Sequence, residues 1–137
     1  MRVVLDTNIL LSALMVRGTP PDRLYEEWRH GRFELASTER QIDELRTVVR
    51  RPFFQERLKA SEIGRMINDI RRLAAMHNAL PAVTRSTDPA DDYLLALCEV
   101  AAADYLVTGD KSDLLTLEQH HGTHIVSARM FDDMLRK

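Results

Sequence analysis

The sequence predicts an α/β fold with a largely parallel sheet covered on both faces by helices. Three observations carry that prediction. Short apolar, β-branched runs alternate with longer stretches of helical periodicity along the whole chain, as strand–helix–strand crossovers require. The strand runs Val3-Val4-Leu5 and Tyr105-Leu106-Val107 show no strict alternation of polar and apolar residues, which suits strands buried on both sides. The polar residues after two of these runs are acids, Asp6 and Asp110, and ligands in such sheets bind beyond the carboxyl ends of the strands.

The elements follow in order. Val3-Val4-Leu5 reads as a strand, Asp6-Thr7-Asn8 as a polar turn and Ile9 to Met15 as a helix. Gly18-Thr19-Pro20-Pro21 breaks the pattern, and Pro21 opens a helix to about residue 32. Phe33 to Ala36 is a short strand, after which Ser37-Thr38 caps a helix from Glu39 to Arg50 that Arg51-Pro52 stops. Ser61 starts a helix with Ile63, Met66, Ile67, Ile70, Leu73 and Ala74 at helical spacing. Asp88-Pro89-Ala90-Asp91 reads as a capping box for a helix to about Ala103. Tyr105 to Thr108 is a strand, Leu114 to His121 a predicted helix, Ile125-Val126 a last strand and Ala128 to Leu135 a last helix.

At 137 residues, 45% hydrophobic and 29% charged, the chain fits one domain spanning residues 1–137, able to bury a core without disulfide or zinc support. The single Cys98 forms no internal bridge, and no Cys/His spacing suggests zinc. No run approaches the roughly 20 apolar residues of a membrane span, and the N-terminus lacks signal-peptide character. The expectation is a cytoplasmic protein with no membrane partner. Net charge is -2 but unevenly spread: residues 40–85 hold ten basic and five acidic side chains, residues 86–118 eight acids and Lys111 alone. One part therefore suits a polyanion and another a cation. Arginine outnumbers lysine sixteen to three, which suits phosphate contacts, although genome composition produces the same bias.

Acids gathered at one sheet edge repel one another unless a cation neutralises them. Oxygen-only ligands point to magnesium or manganese rather than zinc, ions that support phosphodiester hydrolysis by activating water and stabilising the leaving oxygen. Each acid also has a structural reading. Asp6 fits a helix cap, Asp88 and Asp91 fit the capping box, and Asp110 and Asp113 fit turn or cap positions. Asp92 is left over by that logic. Glu44 shares a helix with Ile42, Leu45, Val48 and Val49, with Asp43 beside it. The five histidines, His30, His77, His120, His121 and His124, show no catalytic arrangement; the adjacent His120 and His121 do not share a helical face. Ser/His/Asp chemistry and phosphate-cradling Gly-rich loops have no supporting motif. A receiver-like domain would need an aspartate after a middle strand where Ser37-Thr38 stands, and a haloacid-dehalogenase-like phosphatase an aspartate where Asn8 stands.

With Asp6-Thr7-Asn8 after the first strand, Glu44 on the third helix, Asp92 followed by Leu95-Ala96, and Leu106-Val107-Thr108-Gly109-Asp110-Lys111-Ser112-Asp113, the sequence resembles the PIN-domain ribonucleases over nearly its whole length. The resemblance implies a three-layer α/β/α fold whose clustered acids bind Mg2+ or Mn2+ to cleave single-stranded RNA. Residue by residue, it makes Asp6, Glu44, Asp92 and Asp110 the catalytic, metal-binding quartet, with Asp113 an additional metal ligand and Asn8 and Thr108 supporting. Register selects Asp92 over Asp91, as the capping argument does. The short form, with Arg51-Pro52-Phe53 and Asp88-Pro89-Ala90-Asp91-Asp92, resembles the branch classed as toxins of toxin–antitoxin pairs. That implies a homodimer or higher homo-oligomer and an antitoxin protein across the acidic groove. Arg46, Arg50 and Arg51 are candidates for guiding the RNA backbone. The competing reading is the same fold kept as an RNA- or protein-binding scaffold with little or no nuclease activity.

Overall fold

The computed structural model describes residues 1–109 and 113–137. The six strands among these residues are β1 (Arg2–Leu5), β2 (Glu34–Ser37), β3 (Ala75–Met76), β4 (Tyr105–Thr108), β5 (Gln119–His120) and β6 (Thr123–Ser127). They form one sheet in the order β3-β2-β1-β4-β6-β5. Every pairing is parallel except that of β5 with β6. Val3 lies opposite Leu35 on one side and Tyr105 on the other, and Leu5 opposite Val107, which places β1 at the centre.

Successive side chains of a strand point to opposite faces, and this divides the core in two. Val3, Leu5, Leu35, Val107 and Val126 pack on one face against α1 (Thr7–Met15), α2 (Pro20–Arg29), α3 (Glu39–Val48), α5 (Ala60–Leu73) and α7 (Ala128–Arg136). Val4, Ala36, Leu106 and Ile125 pack on the other against α6 (Asp92–Ala101) and Leu114. The result is the three-layer α/β/α arrangement with a mostly parallel sheet.

The helices start where the sequence supplies caps. The Thr38 hydroxyl accepts from the Arg40 N–H, and the Asp88 carboxylate from the Ala90 N–H at 3.0 Å. The Asp88 N–H donates to Ser86 Oγ, and Asp91 stands at the N-cap of α6 without a side-chain cap bond to that helix. Pro89–Asp91 is a 3-10 turn, and the α-helix itself begins at Asp92. Arg51-Pro52 does end α3, yet Pro52, with φ preset for a first helical position, opens a further single turn, α4 (Pro52–Gln55). Far ends are tied by charge: the Arg23 guanidinium on α2 donates through Nε (3.0 Å) and Nη2 (2.7 Å) to the buried Asp132 on α7.

The predicted helix from Leu114 to His121 is corrected. Residues Asp113–Leu117 make a 3-10 turn, and the chain then forms the β5–β6 hairpin. Leu114, Leu115 and Leu117 have helical spacing, but Glu118 and His121 take positive φ (61° and 52°), which ends a right-handed helix. The Thr123 hydroxyl donates to Ala103 O at 2.7 Å and anchors the hairpin to the α6–β4 connection.

Candidate active site

The parallel strands bring their carboxyl ends to one edge, and Asp6 is the first residue beyond β1. Its N–H donates to Val107 O at 2.9 Å, which extends the β1–β4 ladder one step and fixes the backbone that carries the acid. The side chain is 7% exposed, and Oδ2 accepts from the Thr108 hydroxyl at 2.7 Å, at the end of β4. Two residues 102 positions apart thus meet. Asn8 contributes its backbone N–H to Asp6 Oδ1 at 3.5 Å, while the residue itself is exposed.

Glu44 reaches the same place from α3. Gln41, one turn earlier and fully buried, donates from Nε2 to Leu5 O at 2.7 Å and accepts from Ser37 Oγ at 2.6 Å, so the helix is pinned over the end of β1. Glu44 Oε1 accepts from the Tyr93 hydroxyl at 2.7 Å and from the Thr7 hydroxyl, and those two hydroxyls lie 3.2 Å apart. Burial pushes the Asp6 carboxyl above the usual carboxylate range; the Thr108 hydroxyl pulls it partly back, and the charge of Glu44 pushes it up again. Burial, then the charge of Glu44, also raises the Tyr93 phenol well above its ordinary value.

Asp92 stands at the first turn of α6, next to Tyr93, and is buried. Its Oδ1 accepts from the Arg85 N–H (3.2 Å) and the Ser86 N–H (2.8 Å), so among the described residues its hydrogen bonds run to that loop rather than to the Asp6–Glu44 pair. Asp110 lies outside the described residues, and so does the side chain of Asp113, whose backbone begins the 3-10 turn. Of the sequence-predicted residues, the structure therefore brings together Asp6, Glu44 and Thr108. Arg46, Arg50 and Arg51 are exposed along the end of α3 and the start of α4.

Three contributors escaped the sequence analysis. Thr7 and Tyr93 hold Glu44, and the Arg40 guanidinium lies 5.1 Å from the Tyr93 ring centroid. The spacing of Arg40 and Glu44 at i and i+4 on one helix face was the signal for the last; Tyr93 is written like any core aromatic. Tyr93→Phe removes a buried hydrogen bond to a carboxylate, and we expect it to destabilise the chain by about 1.5–3 kcal/mol in urea unfolding. Unchanged stability would show that the phenol does not hold Glu44.

The donor set fits a hard divalent cation. Its donors are oxygens, the charge of the half-buried Glu44 is felt at the buried Asp6 carboxyl, and a neighbouring cation would favour the ionised form that burial disfavours. His120 and His121 come to one carboxylate without sharing a helical face: their Nε2 atoms lie 2.6 Å and 3.7 Å from Glu99 Oε2, because the segment is a hairpin and not a helix. Among the described residues, no helix is long and apolar enough to cross a membrane.

A family model described as PIN domain matches residues 2–112, a stretch that includes Asp6, Glu44, Asp92 and Thr108. No curated protein matches the chain. The chain belongs to the PIN domain family, whose members are in general nucleases that bind divalent metal ions.

Proposed function

We propose that the chain is an Mg2+- or Mn2+-dependent endoribonuclease that cleaves single-stranded RNA, and that it serves as the toxin of a toxin–antitoxin pair. The observation that supports this most is the convergence of the Asp6 and Glu44 carboxylates at the sheet edge, each oriented by a hydroxyl from a different element. Asp6, Glu44 and Asp92 would hold the ion, with Asp110 and Asp113 completing the set by their place in the sequence. When bound, such an ion activates water and offsets charge on the leaving oxygen.

The chain's own residues have distinct tasks. Thr108 orients Asp6, Thr7 and Tyr93 orient Glu44, and the 85–86 loop holds Asp92 Oδ1. Asn8 borders the site on its exposed side. Arg46, Arg50 and Arg51, with Arg40 at the rim, would guide the backbone, since phosphate contacts supply most sequence-independent affinity. In this reading the chain forms a homodimer or higher homo-oligomer in the cytoplasm, and an antitoxin protein crosses the groove and offers a basic group to the acids.

The test is cleavage of a single-stranded RNA panel, with single-stranded DNA alongside, by the parent chain, Glu44→Gln and Asp92→Asn. Each is assayed with Mg2+ or Mn2+ and with EDTA. RNA cleavage that needs the metal and disappears in both variants is the expected result. Equal cleavage by all three would assign the activity to a contaminant, and RNA binding without cleavage by the parent would favour the scaffold role.

A further inference from the structure

Away from the acidic groove, the β5–β6 hairpin and the far end of α6 bring together a second set of donors. Glu99 on α6, His120 on β5 and His121 in the hairpin turn place one ligand atom each within 4.8 Å of the others. The two rings stand edge to face with centroids 4.6 Å apart, and the left-handed backbone at His121 (φ 52°) turns its ring toward the same carboxylate as its neighbour's. In an extended strand, adjacent side chains would point to opposite faces. Here both Nε2 atoms approach Glu99 Oε2, at 2.6 and 3.7 Å.

We propose that Glu99, His120 and His121 form a binding site for a borderline-soft divalent cation of the zinc class, separate from the carboxylate site. Two imidazoles and one carboxylate are a donor set found in three-ligand zinc centres, whereas magnesium prefers oxygen alone. Zinc bonds of about 2.0–2.1 Å place tetrahedral ligand atoms roughly 3.3 Å apart, so small side-chain movements suffice. His121, 67% exposed, is free to make them. A concavity of about 390 Å³ borders Glu99 and His121 and is also lined by Cys98, Asp104 and Gly122; it leaves room for a water molecule as fourth ligand.

The site also connects to Asp92. Arg85 Nη1 lies 2.7 Å from His120 Nδ1 and donates to Gln119 O at 2.9 Å. A guanidinium can only donate, so Nδ1 accepts and the ring proton sits on Nε2, facing Glu99. A cation on Nε2 displaces that proton. The ligating neutral ring then carries its proton on Nδ1, where it meets the Arg85 donor, and the guanidinium must move away. The Arg85 and Ser86 N–H groups are the ones that hold Asp92. Occupation of the histidine site is thus felt by an acid of the first site.

The experiment uses the full chain carrying Asp6→Asn, with Mg2+ in excess, titrated with Zn2+ by calorimetry and by amide and imidazole NMR. We expect one Zn2+ per chain, shifts of the His120 and His121 ring signals, and movement of the Arg85 and Ser86 amide signals. Adding His121→Ala or Glu99→Gln should weaken binding by at least about tenfold, the scale of loss for perturbed metal sites. Thermal melts establish that each variant is folded, and the exposed position of His121 keeps that variant informative on its own. Absence of Zn2+ binding, or equal affinity in the His121→Ala variant, would overturn the proposal.

Discussion

Asp6→Asn is expected to abolish metal-dependent cleavage and yet raise the melting temperature of the metal-free chain. For the proposed nuclease, removing one charge from the donor set forfeits several kcal/mol of transition-state stabilisation, at least about a thousandfold in rate. The stability argument is independent of that reading. The folded chain holds a proton on Asp6 more tightly than the unfolded chain does, because burial raises the carboxyl above 3.8. Between 3.8 and the higher folded value the folded state therefore binds more protons, so stability falls as pH rises through that window. Above it, the cost of the buried charge is fully present. Asparagine removes the charge and keeps one oxygen, which can take the place of Oδ2 and accept from the Thr108 hydroxyl. Calorimetric scans at neutral pH should show a rise of a few degrees, since each kcal/mol moves the midpoint of a chain of this length by about 3–5 °C. The difference should vanish as pH falls below 3.8. A large drop at neutral pH would show that the carboxylate is a structural cap and not a strained donor.

Phe131→Ala should produce the largest loss of stability. Phe131 is fully buried, with its ring 5.5 Å from Phe33 and 5.3 Å from Tyr105, so it joins α7 to the sheet beside β4. Truncating such a ring costs about 3–5 kcal/mol, a third or more of the total stability of an ordinary domain. Urea unfolding should show a lower midpoint with an unchanged slope, and the melting temperature should fall by roughly 10 °C. Met130→Ala, on the same helix but 54% exposed, should change stability by less than about 0.5 kcal/mol. β6 and α7 lie beyond the stretch matched by the family model, so a loss as large as predicted would show that the domain depends on them. A loss under about 1 kcal/mol would show that α7 is not packed on the sheet in solution.

The central strands and long helices were legible because their signals are local: a continuous apolar run for β1 and β4, an apolar stripe from Ile63 to Ile70 for α5. The two-residue strands β3 and β5 were not, since they exist through pairing with Ala36–Ser37 and with β6 and carry no periodicity of their own. The same cause misread residues 114–121, where leucine spacing suggested a helix and tertiary hydrogen bonding made a hairpin. At the site, Asp6 could be placed at the carboxyl edge of the sheet because it follows a strand that reads as parallel, whereas Thr108, the last residue of β4, was marked only by the family resemblance. The role of Tyr93 could not, because its hydroxyl is useful only once Thr7 and Glu44 have been brought to it. The histidine pair escaped for a related reason: its convergence on Glu99 depends on one left-handed residue.

The bond between Asp6 and Thr108 spans 102 positions, and β1 is flanked by β4 on one side. A nascent chain therefore carries Asp6 and Glu44 long before the strand that closes the centre of the sheet is available. During synthesis at about 5–20 residues per second, Asp6 waits several seconds for its partners on β4, and an amino-terminal fragment ending short of β4 lacks both the Val107 carbonyl and the Thr108 hydroxyl that fix it. The order of the strands acts as a built-in delay: more than three-quarters of the chain has to be made before the Asp6 carboxylate meets the hydroxyl that orients it at the sheet edge.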